Sequence, residues 1–88
     1  MSRGFLKQYQ DAKKEYPDSL LLFRMGDFYE AFDADAEIVA EVLNLAITKR
    51  NGLLMTGFPQ IHLDSYLKKL VAAGYRVAVA EFVPKESK

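Results

Sequence analysis

The sequence predicts an α/β domain, a small mixed β-sheet flanked by about three helices. Three observations carry this expectation. Leu20, Leu21, Leu22 and Phe23 form one apolar run and Val77, Ala78, Val79 and Ala80 another. A strand with no polar face is one covered above and below. Three further segments carry apolar residues at helical spacing and need a surface to bury against. Asn51-Gly52 lies between two β-prone runs, the strongest short hairpin signal, because both residues tolerate a type I′ turn.

Taken in order, Phe5, Tyr9, Ala12 and Tyr16 recur at helical spacing with Lys7, Lys13 and Lys14 on other faces. They predict an amphipathic helix of about three turns. It ends at Tyr16-Pro17-Asp18, since the residue before a proline is pushed out of the α region. A buried strand over 20–25 follows, then Gly26-Asp27 as a turn and a strand over 28–32. Asp33 is the expected N-cap of a second helix, with Asp35 and Glu37 near its positive end. Ile38, Val39, Val42 and Leu43 form its stripe, and Asn44 stops it. The hairpin joins 45–50 to 53–58, with Lys49 and Arg50 at its end. Gly57-Phe58-Pro59 breaks the chain. Leu63, Tyr66, Leu67, Leu70 and Val71 then give a third helix, which Gly74 terminates. The last strand, 75–83, is expected at the centre of the sheet. A domain over 1–83 and a frayed tail over 84–88 complete the expected organisation.

Composition limits the functions available. The chain has 88 residues, half of them apolar and 27% charged, which fits one soluble globular domain. Neither a membrane-spanning run of about 20 apolar residues nor a signal-peptide pattern is present, and the expected location is cytoplasmic. Without cysteine there is no disulfide and no thiolate metal site. Twelve basic residues balance twelve acidic ones. DNA-binding modules acting alone usually carry a basic footprint, so tight autonomous DNA binding is not expected. No phosphate-binding glycine loop occurs, and no cofactor is expected.

The candidate functional residues begin with Phe28 and Glu30. If 28–30 is extended, those two side chains share one side and Tyr29 takes the other. A ring beside a carboxylate at the lip of a buried strand suits contact with something outside, although from the tripeptide alone a core position is commoner for Phe28. Asp27, Glu30, Asp33 and Asp35 crowd one segment, as acid–base chemistry or a Mg²⁺ site would require. A turn and a helix start account for all but Glu30. The single histidine, His62, precedes a helix stripe, where surface or capping roles are commonest. Lys49 and Arg50 at the hairpin end, together with Arg24 and Arg76, could meet phosphates. Isolated cations are more often simply solvated.

The residues 21–32, reading LLFRMGDFYEAF, closely resemble the start of the mismatch-recognition domain of the MutS family of DNA mismatch-repair proteins. The resemblance continues through Asp35-Ala36, Leu43, Ile47-Thr48-Lys49-Arg50, Gly57-Phe58-Pro59 and residues 66–70 to residues 77–81. It covers nearly the whole chain, and RMGDFYE is its most specific part. It implies that Phe28 is inserted from the minor groove onto a mispaired or unpaired base and that Glu30 hydrogen-bonds to that base. On that reading Lys49 and Arg50, with Arg76 as a further candidate, are expected to contact backbone phosphates. The expected partners are duplex DNA with mismatched or unpaired bases, bound weakly by this chain alone, and the remainder of a MutS-like protein. The family's ATPase lies in regions outside this chain, so the expectation is a binding module and not an enzyme.

Departures from the family pattern are local. Gln60-Ile61 stands where the family has Tyr-His, Ala80-Glu81-Phe82 where it has Cys-Glu-Gln, and the loop after Arg50 is shortened to Asn51-Gly52. Two other classes stay open on sequence alone. One is a protein-interaction or scaffold domain that kept the fold without the DNA role. The other is a carboxylate-metal nuclease.

Overall fold

A computed structural model describes residues 3–84. The elements run α1 (Arg3–Glu15), β1 (Leu20–Met25), β2 (Phe28–Phe32), α2 (Asp33–Leu43), β3 (Thr48–Arg50), β4 (Leu53–Pro59), α3 (Leu63–Ala72) and β5 (Val77–Glu81). One 3₁₀ turn, Gln60–His62, precedes α3. The strands form a five-stranded sheet in the order β3-β4-β2-β1-β5. Only β1 and β5 are parallel; the other pairs are antiparallel. The expected α/β architecture, a mixed sheet flanked by three helices, is what the chain adopts.

Alternation along β1 explains its unbroken hydrophobicity. Leu20 and Leu22 enter a core with Tyr29, Ala31, Phe58 and residues of α2 and α3. Leu21 and Phe23 enter a second core, on the α1 side, with Phe5, Tyr9 and Phe32. Edge-to-face ring contacts tie that second core together, with Tyr9 and Phe32 centroids 4.9 Å apart and Phe5 and Phe32 centroids 5.3 Å apart. Asp35 joins three elements: its Oδ2 accepts from Lys13 Nζ at 2.8 Å and from the Leu21 N–H at 3.0 Å. The carboxylate placed by sequence at a helix start is thus a buried strut between α1, β1 and α2.

Turn chemistry follows the sequence closely. Asn51 and Gly52 both have positive φ, as a type I′ hairpin needs. Asn44 ends α2 in the left-handed region. At the end of α3 the Gly74 N–H donates to the Val71 carbonyl and the Tyr75 N–H to the Leu70 carbonyl. That pair of bonds is a Schellman motif, with Gly74 at the position of positive φ.

Several expectations are corrected. Among the described residues β5 lies at the edge of the sheet, not at its centre, and Val79 is 47% exposed. Its apolar residues do face both cores, since Val77 packs with the α2–α3 side and Ala78 and Ala80 with the α1 side. Two apolar faces, however, do not imply two strand neighbours. The first hairpin strand shortens to Thr48–Arg50; the preceding loop is tied down instead, with Thr56 Oγ1 donating to the Ala46 carbonyl at 2.7 Å. Asp33 does not cap α2 by a side-chain bond: Phe32 holds the N-cap position, and Asp33 has φ +54°. Val71 lies off the buried stripe of α3, and Leu70 alone is fully buried there. Gly57 does not break the chain but sits within β4, paired with Glu30. Beyond Pro84 the expected tail lies outside the described residues.

Candidate functional site

The Gly26-Asp27 turn joins β1 to β2 at one end of the sheet, and Met25 pairs with Phe28 directly across it. Arg24 buttresses the turn, its Nε donating to the Gly26 carbonyl at 3.0 Å. The 3₁₀ turn docks alongside, with the Gln60 N–H donating to the Asp27 carbonyl at 2.7 Å. Phe28 is therefore the first residue of a strand that two turns hold rigidly in place.

Its ring is 46% exposed, whereas Tyr29, Glu30, Ala31 and Phe32 after it are all buried. Phe28 belongs to neither core: the α1-side cluster takes Phe23 and Phe32 but stops short of it. Tyr29, on the opposite face, packs against Phe58 at 5.9 Å, and Phe58 against Tyr66 at 4.9 Å. The strand is thus anchored through one face while Phe28 projects from the other.

Glu30 lies two residues on, on the same face, and is only 7% exposed. Arg50 Nη1 donates to its Oε1 at 2.6 Å. The Arg50 guanidinium lies 5.7 Å from the centre of the Phe5 ring, a cation–π contact. Burial pushes the Glu30 carboxyl above the usual carboxylate range, and the charge and hydrogen bond of Arg50 draw it partly back. Gly57 gives the carboxylate room: a Cβ there would lie 2.9 Å from the Tyr29 carbonyl oxygen and 3.3 Å from Glu30 Cγ. Glycine inside a strand marks such close approach.

The expected basic residues do not gather round Phe28. Lys49 pairs with Leu54, whose side chain enters the α2–α3 core, so Lys49 and Arg50 face opposite sides of the sheet. Arg76 precedes β5 and its carbonyl accepts from the Leu20 N–H, at the far end of β1 from Phe28. The separation along the strand is about 17 Å at 3.3 Å per residue. Both Lys49 and Arg76 are exposed. Ile61, which composition did not single out, is 81% exposed on the 3₁₀ turn beside Asp27. The only available signal for it was its place in the Gln60-Ile61 departure. His62 is exposed, its ring 5.4 Å from Tyr66. Among the described residues no group of three or more acidic or histidine side chains converges as a metal site would require, and no helix is long and apolar enough to cross a membrane.

Fold and site together define a class: a small mixed-sheet α/β domain that presents an exposed aromatic ring, with a carboxylate on the same face, at one end of its sheet. A family model described as MutS domain I matches residues 3–88, and the chain belongs to that family. Similar relatives include the DNA mismatch repair protein MutS of Thermosipho melanesiensis, 57% identical over 86% of this chain and 9% of the relative. That of Thermotoga petrophila is 53% identical over 94% of this chain and 10% of its own length. That of Fervidobacterium nodosum is 58% identical, covering 86% and 9% respectively. The chain spans about a tenth of the length of the curated relatives it matches.

Proposed function

We propose that this chain is a mismatch-recognition module of a MutS-like DNA mismatch-repair protein, with Phe28 as a wedge entering the minor groove and Glu30 as its partner on the base. The observation that carries the reading is the exposed Phe28 ring on a strand whose next four residues are buried. Family membership supports it. Inserting a ring into a base step costs a few kcal/mol of unstacking, least where pairing is already defective. Stacking a base on the ring returns about 1–3 kcal/mol. Well-paired steps resist the wedge and mispaired or unpaired ones yield to it, so discrimination comes from the DNA's own stability.

Glu30 adds selectivity by the same logic. Close to phosphates a carboxylate is repelled, and it gains only where a base offers a donor or where the carboxyl is itself protonated. Lys49 and Arg76 supply the backbone contacts. A duplex advances about 34 Å per turn, so Arg76, about 17 Å from Phe28 along β1, meets a phosphate a few steps from the defect. With no net charge and few phosphate contacts, binding by this chain alone is weak and is best seen at low salt. The domain occupies 1–83, and the remainder of the parent protein supplies the grip.

Titrating G·T, unpaired-base and fully paired duplexes at low salt tests the reading, with wild type and Phe28→Ala compared. A preference for the defective duplexes that disappears in the variant supports it; equal binding by the two proteins refutes the role of Phe28. Protein docking is the second reading, favoured by the half-exposed Val79 on β5, the edge strand among the described residues. Absence of any DNA contact at low salt would make it the better one.

A further inference from the structure

Adjacent in sequence, Lys49 and Arg50 face opposite sides of the sheet. Arg50 reaches across twenty residues of chain to the Glu30 carboxylate, at 2.6 Å, and rests against the Phe5 ring. The pair is only partly open to solvent, the side chains of Arg50 and Glu30 being 34% and 9% exposed. One of the five guanidinium N–H donors is committed to that carboxylate, and withdrawing Arg50 from it would leave a mostly buried charge without a partner.

The two oxygens of Glu30 are not equivalent. Oε1 takes the Arg50 hydrogen bond. Among the described residues no partner is bonded to Oε2, yet no buried side-chain polar atom lacks one, so Oε2 reaches solvent. Arg50 holds the carboxylate at Oε1, and Gly57, by lacking a Cβ, leaves the space that the Glu30 side chain occupies. Phe23 of β1 and Gly57 of β4 flank Glu30 in the sheet and carry no charge. Phe5 of α1 is likewise uncharged, so among the described residues Arg50 is the charged group facing Glu30.

We propose that Arg50 is a positioning residue for Glu30: it holds Oε1 and leaves Oε2 as the oxygen offered on the Phe28 face, and so sets base discrimination through Glu30 and not through a DNA phosphate. This rests on the reading of Phe28 and Glu30 as the base-contacting pair. Guanidinium is charged at every accessible pH, so the latch does not open by titration of Arg50. Without Arg50, burial acts on the carboxyl unopposed, and the rotamer loses its tether.

Two measurements on the 88-residue chain test this. In the first, an NMR pH titration follows the Glu30 side-chain carboxyl without DNA in wild type, Arg50→Lys and Arg50→Met. The midpoint should rise in Arg50→Met and lie between the two in Arg50→Lys; an unmoved midpoint overturns the proposal. In the second, G·T and fully paired duplexes are titrated over a salt series. Arg50→Met should lower the G·T-to-paired affinity ratio about tenfold, the lower range of a hydrogen bond to a charged group, with the salt slope unchanged. Arg50→Lys should recover part of the ratio, and adding Arg50→Met to Glu30→Gln should lower it no further. Equal weakening on both duplexes, with the log–log salt slope reduced by about one, makes Arg50 a phosphate contact and overturns the proposal. A wild type with no preference refutes the Phe28–Glu30 reading and the proposal with it. A wild-type preference that survives intact in Arg50→Met refutes the role of Arg50 alone.

Discussion

Gly57→Ala has a sign that the structure decides. The φ of Gly57 lies outside the left-handed region, and where alanine fits such a backbone the substitution stabilises by about 0.4–1 kcal/mol, through the unfolded chain. Here the added Cβ would meet the Tyr29 carbonyl oxygen at 2.9 Å and Glu30 Cγ at 3.3 Å. The nearer atom is backbone of the paired strand, so relief requires moving β2 against β4 at the Glu30–Gly57 pair. Overpacking of this kind costs about 1–3 kcal/mol. The net expectation is destabilisation of about 1.3 kcal/mol, midway through the range those two effects allow. For a domain of this size that lowers Tm by about 5–10 °C. Urea denaturation with circular dichroism measures it, with an unchanged m-value expected because the surface exposed on unfolding stays the same. The same shift disturbs the Glu30 side chain, so the Arg50 ion pair should loosen as well. A midpoint equal to or above wild type would refute the close-approach reasoning.

Two further perturbations test the scaffold. Asp35→Ala removes the acceptor shared by Lys13 Nζ and the Leu21 N–H; breaking a largely buried pair costs about 3 kcal/mol, so the urea midpoint should fall well below that of a surface carboxylate variant. Burial, with Asp35 and then Asp33 nearby, pushes the Tyr9 hydroxyl from 10.0 up to about 12. Its folded state therefore keeps a proton that the unfolded chain loses, and the stability it contributes is full below pH 10 and lost as pH rises to about 12. Tyr9→Phe should flatten stability against pH over that window, and an unchanged alkaline slope would contradict it.

What the sequence made legible was local. The run at residues 20–23 marked a strand buried on both faces, and Asn51-Gly52 and Gly74 marked a hairpin and a helix end, because each depends on the conformational range of one or two residues. Relations across the sheet were not legible. The signature of β5 equals that of β1, since side chains report what covers the faces and not which neighbour supplies the hydrogen bonds. Gly57 read as a break because the reason for its small size, the Tyr29 carbonyl and Glu30, lies on another strand. At the site, alternation placed Phe28 and Glu30 on one face, but the exposure of Phe28 depends on where the α1-side core stops. The engagement of Glu30 by Arg50 is likewise a long-range contact. Lys49 and Arg50 stand side by side at the hairpin end in sequence, and period-two alternation separates them once the strand is known.

The central claim is that Phe28 reads defects in duplex DNA. Its most direct test is the G·T-to-paired affinity ratio of wild type and Phe28→Ala, measured by fluorescence anisotropy at low salt after thermal unfolding has shown both chains folded. The half-exposed ring contributes little to the core, and its loss removes about 1–3 kcal/mol of base stacking, roughly 5- to 150-fold in affinity. The account predicts that the wild-type preference for G·T collapses in Phe28→Ala to a ratio near one while weak binding to paired DNA persists. The same ratio in both proteins would contradict it.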